Sequence, residues 1–206
     1  MVGHSFGGVF IRAFTAESPD EVVGMVLVDS SNENQIQLLP PDLKQSPEMA
    51  QAKNKQFATL RIYQIIERLG LFRVFKLYDP AVATIQFSEK DNALLLAEMY
   101  RTGYFGAIMR KAEMMDTYQS QRRELNSLGD MPLIALSQEM DAQDMIAHIP
   151  LTLQTMELAQ QLVDIYNDMQ DELAGLSTRG KRIVVKDTGH NFQLEKPQVV
   201  FEQVSR

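Results

Sequence analysis

The sequence predicts an α/β protein with a parallel β-sheet. Three short segments have strand character: residues 22–29, 131–138 and 181–187. The first is a continuous, largely β-branched apolar run, which is typical of a strand buried on both faces. Helical stretches separate the three segments, and this alternation of strands with helices is typical of a parallel sheet.

Composition limits the classes of protein that this chain can be. With 206 residues, of which 45% are hydrophobic, it is long enough for one sizeable domain with an inserted subdomain. The net charge of −7 and the lack of a basic cluster argue against nucleic acid and anionic membranes as partners. The chain has no cysteine, which excludes disulfides, thiolate metal sites and a cysteine nucleophile. No signal peptide or membrane-spanning run is visible, so we expect a cytoplasmic protein.

The first and last helices follow from simple patterns. Residues 6–17 have helical periodicity and end before Pro19. One face of this predicted helix carries the apolar residues Val9, Phe10, Ala13 and Phe14. A long helix is predicted over residues 151–176, and a final helix follows the third strand. Leu158, Leu162, Ile165 and Met169 lie at helical spacing in the long helix.

The middle of the chain is predicted to be an all-helical insertion. Residues 30–57 are polar and contain three prolines, which indicates loops and helix starts. From about residue 56 to residue 128 the pattern is helical, with amphipathic stretches at 60–78 and 93–115. The first of these stretches places Ile62, Ile65, Ile66 and Leu69 at helical spacing.

A Gly-x-Ser-x-Gly motif lies at the start of the chain, in Gly3-His4-Ser5-Phe6-Gly7. Such a serine sits on a sharp turn between a strand and a helix, where its hydroxyl is exposed as a nucleophile. We expect Gly3 and Gly7 to let the strand and the helix approach closely. The backbone N–H of Phe6, at the helix N-terminus, can donate to a developing oxyanion.

A serine nucleophile needs a base, and the chain has three histidines. His190 follows the third strand, which places its imidazole at the carboxyl edge of the sheet, where Ser5 also lies. His4, inside the motif, is expected to point away from the reactive side of Ser5. His148 is interpreted as an ordinary polar residue.

The segments GHSFGG, VLVDSSNENQ, MPLIALS and DTGHNFQLEKPQVV together resemble the α/β-hydrolase superfamily. The resemblance covers essentially the whole chain and is greatest to bacterial serine hydrolases with a helical cap. It implies a hydrolase core at residues 1–32 and 129–206 and a cap at residues 33–128. It also implies that Ser5 is the nucleophile and His190 the general base, with no metal or organic cofactor.

The acid of the implied triad has two candidates. Asp29 ends the first complete strand, at the same sheet edge as Ser5. Asp141 follows the second strand, at the position that most members of the superfamily use, and Asp144 is a weaker third candidate. The segment 137–141 departs from the usual glycine-containing turn, so we favour Asp29. Asp187 is too close to His190 in sequence to face its ring easily.

The resemblance further implies that this is the C-terminal portion of a longer hydrolase. In the superfamily, four strands precede the strand of the serine, and a loop among them supplies a second oxyanion donor. We therefore expect the strand at 23–29 to have almost no partner on one side. The 206 residues alone should associate through the exposed sheet edge and have little activity.

The sequence therefore predicts a serine hydrolase that cleaves a small, fairly apolar ester or a related acyl compound. The alternative is a non-catalytic remnant or binding module that keeps the motifs by descent. Neither the cap pattern nor the fold identifies the substrate.

Overall fold

A computed structural model describes residues 1–75, 88–121 and 127–205 of the chain. Within these residues one sheet of four strands is present, with the order β1-β2-β3-β4. The strands are β1 (Val2–His4), β2 (Met25–Val28), β3 (Leu133–Gln138) and β4 (Gly180–Val185). Every neighbouring pair is parallel, which confirms the predicted fold class.

Along the chain, helices lie between these strands and after the last of them. In chain order the α-helices of the described residues are α1 (Phe6–Glu17), α2 (Gln35–Leu38), α3 (Pro41–Lys44), α4 (Pro47–Arg68), α5 (Leu71–Val74), α6 (Glu89–Met99), α7 (Tyr104–Gln121), α8 (Ala142–Met145), α9 (Met156–Gly175), α10 (Phe192–Glu195) and α11 (Pro197–Val204). Short 3₁₀ turns cover Pro19–Glu21, Ile146–His148 and Leu151–Leu153.

The chain divides into two compact units. The sheet unit contains residues 1–44 and the described part of 122–206, and the helical unit contains the described part of residues 45–121. The domain assignment 1–32, 33–128 and 129–206 stays a prediction. Residues 76–78 of the predicted stretch 60–78 lie outside the described residues.

The core of the sheet unit lies on both faces of the sheet, because successive side chains of β2 point to opposite faces. Val26 and Val28 pack on one face, in a cluster that also contains Leu136, Val185 and Phe192. Met25 and Leu27 pack on the other face, with Leu133 and Leu173. All four strand residues of β2 are buried, as the apolar run predicts.

Strand β2 has partners on both sides, which corrects one expectation. Val2 lies opposite Val26 and His4 opposite Val28 in the parallel pairing with β1, and β3 pairs with the other edge of β2. The N–H of Val26 also donates to the Met1 carbonyl at 2.8 Å. The expectation that this strand has almost no partner on one side is therefore wrong. In the described sheet the outer strand on that side is β1.

Helix α1 has the predicted bounds but buries a different face. Val9 is 1% exposed, as expected, whereas Phe10 is 51% exposed and Phe14 is 39% exposed. The side chains that face inward with Val9 include Arg12 and Thr15, both buried. The Arg12 guanidinium is hydrogen-bonded to the buried Ser30 and to the half-buried Ser31 and Glu33, which makes a polar residue acceptable on the inner face.

Helix α9 begins later than its pattern suggests. The predicted helix at 151–176 starts instead at Met156, after a separate 3₁₀ turn at Leu151–Leu153. The side chain of Thr155 accepts a hydrogen bond from the N–H of Leu158 at 3.1 Å. This N-cap satisfies a donor of the first turn and fixes where the α-helix begins.

The helical unit is organised around aromatic residues, and of the four residues at predicted helical spacing only Ile66 packs against them. Ile62, Ile65 and Leu69 are more than half exposed. Helix α4 instead packs Leu60 against Phe72 and Phe105. The rings of Phe72 and Phe105 are stacked, with centroids 5.0 Å apart.

Candidate active site

Ser5 occupies the turn between β1 and α1, and its backbone is strained. Its φ of 53° and ψ of −126° lie in a region that residues with a side chain rarely adopt. Ser5 stands at the N-cap of α1, yet its side chain makes no capping hydrogen bond. A serine at the N-cap usually accepts a hydrogen bond from the first turn of the helix. In this turn the backbone conformation of Ser5 leaves its hydroxyl outside that capping role.

The backbone around Ser5 is held by neighbouring segments. Its N–H donates to the Val28 carbonyl at 3.0 Å. Its carbonyl accepts from the N–H groups of Gly8 and Ser31, each at 3.1 Å. These bonds fix the serine to the end of β2 as well as to its own helix, and so they hold the strained conformation in place.

The crowded glycines of this turn are Gly3 and Gly8, which corrects the expectation for Gly7. A Cβ on Gly3 would lie 2.8 Å from backbone atoms of Gly7 and Gly8. A Cβ on Gly8 would overlap Ser30 Oγ and lie 2.7 Å from Ser30 Cβ. A Cβ on Gly7 would meet nothing within 4 Å. Close packing of strand and helix therefore depends on Gly3 and Gly8.

Gly8→Ala is expected to lower the free energy of unfolding, whereas Gly7→Ala is the matched control. Overpacking of this kind costs about 1–3 kcal/mol. Ser30 cannot easily move away, because its hydroxyl accepts a buried hydrogen bond from Arg12 at 2.9 Å. Alanine at position 7 should be neutral or stabilise the helix by up to about 1 kcal/mol. Urea denaturation of both variants tests this, and equal destabilisation would contradict it.

Asp29 and His190 form the central pair of the site. His190 Nδ1 lies 2.5 Å from Asp29 Oδ2, so the imidazole N–H donates to the carboxylate. The Asp29 side chain is 3% exposed, whereas that of His190 is 47% exposed. With the hydrogen on Nδ1, the Nε2 atom of a neutral imidazole has a free lone pair and can accept a proton. Asp29 also has a positive φ of 42°, at the end of β2.

The second oxygen of Asp29 has two donors that the sequence did not predict. The hydroxyl of Tyr166, on α9, donates to Oδ1, and the N–H of Gln138 donates to the same atom at 3.3 Å. Burial, followed by the charge of Asp29, raises the pKa of Tyr166 far above its ordinary value. The phenol therefore keeps its proton and acts as a donor.

The loop that carries His190 is held by two contacts, one through Phe192 and one through His4. Two residues later, Phe192 is completely buried in the core of the sheet unit. His4 Nε2 donates to the His190 carbonyl at 3.0 Å, and the centroids of the two rings are 4.6 Å apart. His4, which the sequence places away from the reactive side of Ser5, is thus a neighbour of the candidate base.

The other candidate acids and histidine make different contacts. Asp141 is exposed and caps the short helix α8, where its Oδ1 accepts from the N–H of Asp144 at 2.8 Å. Asp144 and His148 are exposed, and Asp187 is an exposed residue with a positive φ of 51°. The structure therefore brings His190 together with Asp29 and gives Asp141 a capping role.

Arg12 connects helix α1 to the segment after Asp29, and no motif indicates it. Its guanidinium donates to Ser30 Oγ at 2.9 Å and to the Ser31 carbonyl at 2.8 Å. It also forms an ion pair with Glu33 at 2.7 Å. These contacts tie the helix that begins beside Ser5 to the loop that begins at Asp29. The only local signal is a charged residue in the middle of a mostly apolar predicted helix.

Arg12→Ala is expected to destabilise the fold strongly. The Arg12 side chain is 1% exposed and that of Glu33 is 23% exposed. Breaking a buried pair costs about 3–5 kcal/mol, and the partial exposure of Glu33 places the expected loss near the lower end. Arg101→Ala is the control, because its pair with Glu98 is exposed and should contribute less than about 1 kcal/mol. Similar losses in both variants, measured by urea denaturation, would contradict this account.

Ser5, Asp29 and His190 all lie at the carboxyl edge of the parallel sheet. Ser5 follows β1 directly, Asp29 follows β2 directly, and His190 lies five residues after β4. Between Ser5 and His190, both within the described residues, the side chains make no direct hydrogen bond.

In the described part of the chain, no group of three or more His, Cys, Asp or Glu side chains is arranged to hold a metal ion. No helix among residues 1–75, 88–121 and 127–205 has the length and apolar character needed to cross a bilayer.

The chain is similar to a known protein family and to a solved structure. The family model described as alpha/beta hydrolase fold matches residues 1–197. Est816, described as an N-acyl homoserine lactone degrading enzyme, is a similar solved structure with a TM-score of 0.47 and 18% sequence identity. That match covers 99% of this chain and 65% of the Est816 chain. The comparison with curated proteins gave no match.

Proposed function

Because this chain belongs to the alpha/beta hydrolase fold family, we propose that it is a serine hydrolase with the triad Ser5, His190 and Asp29. Its substrate in this proposal is a small, fairly apolar ester or a related acyl compound. The observation that carries the proposal is the 2.5 Å contact between His190 Nδ1 and the buried carboxylate of Asp29. A buried carboxylate that orients an imidazole beside a strained serine turn is the arrangement that serine acyl transfer needs.

In the first half of the reaction, His190 Nε2 takes the proton of Ser5 as Oγ attacks the substrate carbonyl carbon. Asp29 stabilises the imidazolium that forms. The carbonyl oxygen becomes an oxyanion, for which the N–H of Phe6, at the first position of α1, is the proposed donor. His190 then gives the proton to the leaving alcohol as the carbon–oxygen bond breaks, which leaves an acyl group on Ser5.

In the second half, water replaces the alcohol. His190 takes a proton from the water, and the resulting hydroxide attacks the acyl carbon. The bond to Ser5 Oγ breaks, His190 returns the proton to Ser5, and the carboxylic acid leaves. The exposed position of the imidazole suits this step, because water must reach it.

Titration of the natural protein with a fluorophosphonate tests the proposal. This reagent phosphonylates an activated serine hydroxyl and displaces fluoride. We expect hydrolysis of a p-nitrophenyl ester to fall linearly to zero as one equivalent reacts. Ester hydrolysis that survives complete modification would overturn the serine mechanism. Absence of both reaction and hydrolysis would favour the non-catalytic alternative.

A further inference from the structure

We propose that Tyr166 is a positioning residue for the candidate triad: its hydroxyl holds Asp29 in the orientation in which the carboxylate meets His190. The inference rests on the proposed function, because it assigns a role within that triad. It concerns a side chain that lies 137 residues from Asp29 along the chain.

The two oxygens of Asp29 have separate partners. Oδ2 accepts from His190 Nδ1 at 2.5 Å, and Oδ1 accepts from the Tyr166 hydroxyl and from the N–H of Gln138. The Gln138 contact is the longer one, at 3.3 Å. The orientation of the carboxylate about its Cβ–Cγ bond is therefore set by His190 on one oxygen and mainly by Tyr166 on the other.

Tyr166 lies on α9, which is joined to the sheet by hydrogen bonds next to this residue. Arg182, on β4, donates to the carbonyl and to the side-chain oxygen of Asn167 at 3.0 and 2.6 Å. The same guanidinium donates to Ser137 Oγ, on β3, at 2.9 Å. Asn167, the residue after Tyr166, is thus hydrogen-bonded to Arg182, which also binds the neighbouring strand. These bonds limit the movement of α9 at Tyr166 and so help to fix the position of the phenol hydroxyl.

Helix α9 contacts two consecutive residues, Asp29 and Ser30. Gln170 lies one turn after Tyr166 on the same helix face. Its side-chain amide, which is buried, donates to the Ser30 carbonyl at 3.0 Å. Tyr166 and Gln170 therefore fix the positions of Asp29 and Ser30 relative to α9. A tyrosine that only filled space in the core would not need a hydrogen bond to Asp29.

The phenol is suited to a permanent donor role. Burial and the charge of Asp29 keep its proton in place, since both raise its pKa. A hydrogen bond to a carboxylate is among the stronger kinds. Without it, Oδ1 would retain the long Gln138 contact, and the carboxylate could turn away from the imidazole.

Tyr166→Phe in the natural protein is the direct test, because it removes the hydroxyl and keeps the ring. We expect kcat for a p-nitrophenyl ester to fall about 10- to 100-fold, the range that the loss of one hydrogen bond to a charged group produces. KM should not change, since Tyr166 has no proposed contact with substrate. The downfield ¹H NMR signal of the His190 Nδ1–H should shift, because its acceptor is less well oriented.

Ser177→Ala is the matched control for a buried hydroxyl. Ser177 donates to the Met131 carbonyl at 2.5 Å, at the amino-terminal side of β3, away from Asp29. We expect this variant to lose stability but to keep kcat and the His190 signal. Thermal denaturation of both variants separates loss of fold from loss of orientation.

The outcomes distinguish this inference from the proposed function. An unchanged kcat and an unchanged His190 signal in Tyr166→Phe would overturn the positioning role, while fluorophosphonate reaction of the wild type would leave the serine mechanism intact. If the wild type does not react, the serine mechanism fails. The NMR comparison then still decides the inference, because an unshifted His190 signal overturns it and a shifted signal supports the positioning of Asp29.

Discussion

Replacing Ser5 with alanine is expected to abolish ester hydrolysis by the natural protein. Ser5 supplies the oxygen that attacks the carbonyl carbon, and alanine has no atom that can replace it. Removal of a nucleophilic serine lowers kcat by about 10⁶-fold in a related mechanism on another fold. The fold should survive, because the Ser5 side chain makes no capping hydrogen bond. The measurement is kcat with a p-nitrophenyl ester, accompanied by thermal denaturation.

Ser205→Ala is the control for this first prediction. The Ser205 hydroxyl donates to the Phe201 carbonyl at 2.8 Å in an exposed region near the end of α11. This variant should retain wild-type kcat. If Ser5→Ala retained activity as well, the nucleophile would have to be another group, and the assignment of the motif would be wrong.

Asp29→Asn is expected to have the second largest effect, a loss of about 10⁴-fold in kcat. The asparagine amide has no negative charge to stabilise an imidazolium. Its NH₂ group can also donate to His190 Nδ1, which would move the imidazole hydrogen to Nε2 and block proton transfer from Ser5. Because the Asp29 side chain is only 3% exposed, solvent can compensate little for the lost charge.

Asp141→Asn separates the two acids that the sequence left as alternatives. Asparagine caps helices about as well as aspartate, so the contact with the Asp144 N–H can persist. We expect kcat close to that of the wild type. A large loss in Asp141→Asn together with a small loss in Asp29→Asn would refute the choice of Asp29.

Much of the fold follows from patterns that are local in sequence. The bounds of α1 match the prediction, because a strand–turn–helix motif starts the helix and Pro19 follows its end. Strand β2 is shorter than the predicted 22–29, since Gly24 precedes it and Val23 is 91% exposed. A continuous apolar run identifies a buried strand well, but it does not show where pairing begins.

The supporting side chains of the site could not be predicted, because their partners are distant in sequence. Tyr166 lies four residues after the buried Leu162 on α9, where the helical pattern leads us to expect an ordinary core aromatic residue, and nothing near it in the chain indicates Asp29. Arg12 appears in the sequence as a charged residue on a helix, which usually faces solvent. Gly8 and Gly7 are adjacent in the sequence, but only Gly8 packs against the Ser30 side chain. Because Ser30 belongs to a distant segment of the chain, the sequence does not show this difference.

Ser5 is the activated nucleophile of the proposed mechanism, so fluorophosphonate should modify this residue and no other. The natural protein is treated with the reagent and digested, and the modified peptide is identified by mass spectrometry. We predict that the phosphonyl group is on Ser5 and that Ser5→Ala is not labelled. A label on another residue, with hydrolysis lost in proportion to it, would contradict the account.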